Sequence, residues 1–253
     1  MHLLKVNNDG NPSLIRFIGG KTPNYAILSH TWEADSQEVT FKDLTDGVGI
    51  IKVGYRKIQF CEEQVQKDGL QYFWIDSCCI DKSSSAELSE AINSMFRWYR
   101  NAVKCYVYLS DVSIGNSGQG VQSSQLPYES AFKQSRWFTR GWTLQELLAP
   151  LSVEFFSREG KRLGDKKSLE LQIHETTGIA VRALQGNPLS QFSIIERMSW
   201  AAKRETTIDE DQAYCLLGIF DIHLPLIYGE GMENAFRRLG KEISTFGVSS
   251  PKC

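Results

Sequence analysis

Four short apolar runs, separated by stretches of helical periodicity, constrain this chain more than any other feature. Residues 25–29 (YAILS), 72–75 (YFWI), 104–109 (KCYVYL) and 152–156 (SVEFF) lack the apolar/polar alternation of strands with one wet face, so they read as strands covered on both sides. Between the first two, residues 50–66 carry Val53, Ile58, Cys61 and Val65 at roughly helical spacing, closed by Gly69. Ser84 and Glu87 form a capping-box pattern ahead of Leu88, Ile92, Met95, Phe96 and Tyr99, the clearest amphipathic helix in the chain. Strands alternating with helices predict an α/β fold, a doubly wound and mostly parallel sheet over residues 23–157. Such sheets bind ligands beyond the carboxyl ends of the strands, where the winding reverses. A strand order of 2-1-3-4 would put that crevice between the first and third runs, with His30, Thr31 and Trp32 on one side and the segment after Leu109 on the other.

After Gly164 strand-like runs become scarce. Thr207 and Glu210 suggest a second capping box before Ala213, Leu216, Leu217 and Phe220, and Met232, Phe236, Leu239 and Ile243 repeat at helical spacing. The expected organisation is therefore an α/β core over residues 1–164, a helical carboxyl-terminal subdomain over 165–246 packed on it, and a tail or linker over 247–253. The 253 residues carry 28 Lys plus Arg against 30 Asp plus Glu, a net charge of -2. That balance gives no footprint for nucleic acid or an anionic membrane. No apolar run of spanning length and no secretory leader is evident, which points to a cytoplasmic protein. The six cysteines show no metal-ligand spacing, so neither a metal site nor a disulfide framework is expected.

The segment 135–148 (SRWFTRGWTLQELL) places one carboxylate, Glu146, four residues after Trp142. On a helix the two share a face, an acid beside an aromatic wall, which suits a cationic or planar heterocyclic ligand. Spacing alone leaves open the alternative that Trp142 is core and Glu146 a solvated helix position. The other candidates carry the same duality. His30 is either a ligand donor or a satisfied loop histidine, and Trp32 either a stacking surface or core. Asp76 either touches ligand or serves a turn. Arg140 either pairs with a phosphate or braces its loop. A thiol mechanism at Cys78 or Cys79 would need an adjacent base, and none is evident.

Three blocks, YAILSHTW at 25–32, FWIDSCCID at 73–81 and RGWTLQELLAP at 140–150, resemble the signature blocks of the fungal heterokaryon-incompatibility (HET) domain. Further stretches up to DEDQAYCLLGIFDIHLPLIYGEGMENAFRRL are similar to the HET regions that precede NACHT and WD-repeat modules in fungal incompatibility proteins. The resemblance implies an effector of self/non-self recognition that triggers death of fused cells, with such modules as partners in a longer protein. HET domains have been viewed as remote relatives of Toll/interleukin-1 receptor (TIR) domains, which implies a TIR-like, flavodoxin-like core. It also implies a catalytic glutamate that cleaves NAD, self-association to complete the site, and no cofactor, since NAD is the substrate. The TIR pattern S-x-W-C-x-x-E maps onto Ser135, Trp142 and Glu146, with Thr143 in place of the cysteine and a longer gap after Ser135. On this reading Glu146 is catalytic and His30, Trp32, Asp76, Arg140 and Trp142 bind substrate. As a cleft residue outside the core, Glu146 is expected to accept Gln with little change in stability. The alternative is a non-enzymatic adaptor that kills by assembly.

Overall fold

A computed structural model describes residues 1–7, 10–19, 21–114 and 128–249. Seven strands form one mixed sheet: β1 (His2–Lys5), β2 (Ser13–Arg16), β3 (Ala26–His30), β4 (Tyr72–Trp74), β5 (Lys104–Leu109), β6 (Val153–Ser157) and β7 (Arg162–Asp165). Their order is β2-β1-β4-β3-β5-β6-β7. The four apolar runs are the central strands β3 to β6. They pair in parallel, and β4-β3-β5-β6 is the predicted 2-1-3-4 arrangement. The expectation of a mostly parallel sheet needs correcting at both edges, because a β1–β2 hairpin pairs antiparallel on β4 and β7 pairs antiparallel on β6.

The first helices are α1 (Phe41–Thr45), α2 (Tyr55–Lys67), α3 (Ser85–Asn101), α4 (Glu129–Lys133) and α5 (Thr143–Leu148). They cover the sheet on both faces, as two-sided apolar strands require. From α2, Phe60 meets Tyr106, Tyr108 and Phe156 on one face. On the other face Trp74 meets Trp98 and Tyr99 of α3, and Cys105 Sγ approaches the Glu146 carbonyl of α5. Helix α2 begins later than its periodicity suggests, after a 3-10 turn at Gly49–Ile51. At α3 only half of the capping box forms. Ser84 accepts from the Glu87 amide, while the Glu87 carboxylate reaches the Asp81 amide instead.

Six short or medium helices follow: α6 (Glu170–Thr177), α7 (Val181–Leu184), α8 (Ile194–Ser199), α9 (Asp211–Tyr214), α10 (Leu217–Phe220) and α11 (Met232–Ser249). The Thr207/Glu210 box does not form. Glu210 lies in helical backbone at the N-cap of α9 with no side-chain cap, and its carboxylate accepts from the Gly229 and Gly231 amides at 2.8 Å each. The helices pack on the core through α10 and α3, where a Cβ at Gly218 would stand 2.1 Å from Phe96 Cβ, so only glycine permits the approach. Helix α11 continues past Gly247, where a tail was expected, and residues 250–253 of that tail lie outside the described residues. Residues 115–127, in the segment after Leu109, likewise lie outside them. Among the described residues no helix is long and apolar enough to cross a membrane.

Candidate functional site

Residues 29 and 30 close β3, the strand at which the winding reverses. Consecutive strand residues point to opposite faces, and this divides the site in two. Ser29 turns toward α3 and α5. Its Oγ donates to Glu146 Oε2 at 2.5 Å and accepts from Trp137 Nε1 at 2.8 Å. Tyr99 lies alongside, donating to the Leu28 carbonyl at 2.9 Å. Glu146 is only 4% exposed, so it lies inside the core and not on an open cleft wall. Burial, reinforced by the charge of Asp76, pushes its carboxyl up to about 8 from an ordinary 4.5. The Ser29 and Tyr99 hydroxyls and the Arg204 guanidinium offset this only in part.

His30 turns to the α2 side. Its ring lies between two carboxylates, with Nε2 3.6 Å from Glu38 and Nδ1 3.8 Å from Asp76. Both ring nitrogens are buried and, among the described residues, without a hydrogen-bond partner. Lys57 of α2 completes the cluster, donating to Glu38 at 2.6 Å and to the Thr31 carbonyl at 2.9 Å. Burial alone would raise the Glu38 carboxyl, but His30 and Lys57 outweigh it and hold Glu38 well below the usual carboxylate range. Asp76, just past the end of β4, joins the two halves. It faces His30, raises Glu146 and accepts from Trp32 Nε1 at 2.9 Å. Trp32 is 40% exposed, with Lys82 Nζ 3.7 Å from the ring centroid. Arg136 reaches the Trp32 carbonyl at 3.3 Å and Ser110 at 3.4 Å, closing the crevice from the β5 side.

The structure therefore brings Glu146, His30, Trp32 and Asp76 to the carboxyl ends of β3 and β4. It does not bring Arg140 and Trp142 there. Arg140 donates to Thr207 Oγ1 at 3.1 Å, and Trp142 Nε1 donates to Asp211 at 3.1 Å. Although Trp142 caps α5 in helical backbone, its indole and the Glu146 carboxylate end on different partners. Ser135 is also elsewhere, donating to Asp111 at 2.8 Å; the serine on Glu146 is Ser29. Thr143, in the place of the TIR cysteine, donates to the Trp137 carbonyl at 2.6 Å and accepts from Arg204 at 2.8 Å. Cys78 and Cys79 are buried, and burial raises the Cys78 thiol far from thiolate character.

Sequence reasoning passed over Glu38, Lys57, Lys82, Arg136 and Arg204. Arg136 lies inside the 135–148 segment, next to Ser135, while the other four belong to no local pattern that marks them. Ser29, by contrast, stands inside the YAILSHTW block.

Residues 25–131 match the model of the heterokaryon incompatibility protein (HET) family. The chain is also 60% identical over 224 residues to the vegetative incompatibility protein HET-E-1 of Podospora anserina. That alignment takes in 88% of this chain but only 16% of the relative, so the chain spans about a sixth of that protein's length. No solved structure matches.

Proposed function

Because this chain belongs to the heterokaryon incompatibility family, we propose that it is a cell-death effector of fungal non-self recognition that hydrolyses NAD at the nicotinamide–ribose bond. The observation that carries the proposal is the position of Glu146, a buried carboxylate hydrogen-bonded to Ser29 where the sheet's winding reverses. Breaking that bond develops positive charge on the ribose while nicotinamide leaves neutral, so one carboxylate suffices and no acid need protonate the leaving group. Ionised, Glu146 would hold the ribose hydroxyls and offset the developing charge. Asp76 lies at the crevice with the buried His30 behind it, and Trp32 offers an aromatic surface to a base, an interaction worth roughly 1–3 kcal/mol. A TIR-like ancestry fits the order of the parallel centre.

In this reading the closed crevice is a resting state. Self-association moves the segment that carries Glu146, admits the dinucleotide and favours the ionised carboxylate. NACHT-type and WD-repeat modules elsewhere in a longer protein would promote that assembly. Arg140 and Trp142, held by residues 207 and 211, act on the position of α5 and touch no substrate until it opens.

Burial of Glu146 favours a second reading, an adaptor that kills by assembly without chemistry. Nicotinamide release from NAD, measured over a concentration series for wild type and Glu146→Gln, separates the two. The hydrolase predicts release that rises with concentration and vanishes in the variant. The adaptor predicts no release and killing that survives Glu146→Gln.

A further inference from the structure

At the opposite pole from Glu146, before the amino ends of β3 and β5, a cavity of about 450 Å³ opens between the β1–β2 hairpin and α3. A second, of about 170 Å³, adjoins it and shares Arg16, Glu90 and Trp98 in its walls. Two cations face this space from different elements, Arg16 at the end of β2 and Arg97 on α3. Among the described residues neither is paired with a carboxylate. Arg97 donates to Ser94 Oγ at 3.0 Å, which orients the guanidinium and leaves its charge unmatched. Glu90, Arg97, Trp98 and Asn101 fall at i, i+7, i+8 and i+11 along α3, so one helix face supplies a carboxylate, a cation, an indole and an amide to the same cavity. The Trp98 wall is held in place: its carbonyl accepts from the Tyr25 hydroxyl at 2.6 Å, and its ring packs edge-on against Trp74 at 5.6 Å.

We infer that this cavity is a second ligand site, which takes a phosphate-bearing compound of nucleotide size. The volume lies in the range of small-molecule pockets, far more than inorganic phosphate fills. Two unmatched guanidinium groups suit the separated charges of a diphosphate better than one carboxylate. The indole supplies a surface for a flat base, and Glu90 and Asn101 can accept from or donate to sugar hydroxyls and ring amines. The site is separate from Glu146, which is carried by α5, while the cavity is walled by the β1–β2 hairpin and α3.

The test is isothermal titration of the whole chain with ADP, adenosine and inorganic phosphate. Wild type and Glu146→Gln should bind ADP alike, while adenosine and phosphate bind much more weakly. Arg16→Gln and Arg97→Gln should each weaken ADP by on the order of tenfold, and the double variant more, because each removes a charge-assisted bond. Thr22→Trp, which fills the cavity without removing charge, gives the same loss by another route should an arginine variant unfold. The inference is overturned by no ADP binding at millimolar concentration, or by adenosine or phosphate matching ADP. Undiminished binding in both the double variant and Thr22→Trp overturns it too, as does loss in Glu146→Gln alone, which would move the ligand to the crevice.

Discussion

Replacing Glu146 with Gln removes a buried ionisable group and should stabilise the protein, increasingly so as the pH rises. The carboxyl is 4% exposed, and its titration is displaced from 4.5 to about 8 by burial first and by Asp76 second. Between those two values the folded chain retains a proton that the unfolded chain has released. A raised carboxyl therefore leaves stability untouched below pH 4.5 and lowers it progressively up to pH 8, beyond which the full penalty applies. At about 1.4 kcal/mol for each pH unit separating the two titrations, the penalty above pH 8 is roughly 3–6 kcal/mol. Gln is neutral throughout and keeps an oxygen to accept from Ser29, so it escapes this term.

Urea unfolding of wild type and Glu146→Gln at intervals from pH 5 to pH 9 measures the effect. Near pH 5 the two should differ by little more than the misfit of one amide. By pH 9 the variant should be the more stable by roughly 3–6 kcal/mol, read as a higher urea midpoint. Parallel stability curves across the whole range would refute the reasoning, since a carboxyl titrating normally contributes no slope there. Such an outcome would mean that Glu146 reaches water in solution.

If Glu146 must be ionised to act, nicotinamide release by wild type should climb with pH and level off above about 8; a rate profile flat from pH 6 to pH 9 would count against the carboxylate as the catalytic group. Lys57→Met strips the buried Glu38 of its cation, so it should destabilise the fold by about 3–5 kcal/mol at neutral pH. Because Glu38 titrates below its unfolded value, that loss should shrink as the pH falls below the ordinary carboxylate range, which acid-to-neutral denaturation curves would reveal. Gly218→Ala forces a Cβ into Phe96 and should lower stability by about 1–3 kcal/mol, read as a drop in the urea midpoint.

The sequence revealed the parts of the fold whose burial is complete. Strands β3 to β6 are apolar on both sides because helices cover both, so they stand out as continuous runs, and their order follows from the winding. The hairpin β1–β2 and the strand β7 do not stand out. HLLK, SLIR and RLGD are only four residues each; SLIR and RLGD are the two edge strands and carry exposed positions, while HLLK is buried between β2 and β4, and strands this short resemble loops. The Thr207/Glu210 pattern misled because two glycine amides claim the Glu210 carboxylate from across the fold, a competition that no local rule detects.

The same distinction runs through the site. Glu146, His30, Trp32 and Asp76 lie in sequence blocks and are legible, but what sets the chemistry of Glu146 comes from remote segments. Ser29 and Tyr99 approach it from the sheet and α3. Arg204, nearly sixty residues downstream, donates to the Arg140 carbonyl at 2.9 Å and to Thr143 at 2.8 Å, in the turn that launches α5. The neighbouring Glu205 exchanges backbone bonds with Thr139 and Gly141, and Asp211 accepts from Trp142. Residues 204–211 thus strap the start of the helix that carries the carboxylate. The helical carboxyl-terminal part of the chain thus braces α5, and a motion that carries the start of α5 away from residues 204–211 would break these contacts. Trp142 and Arg140 are part of that brace, bonded to Asp211 and Thr207, and neither faces the crevice.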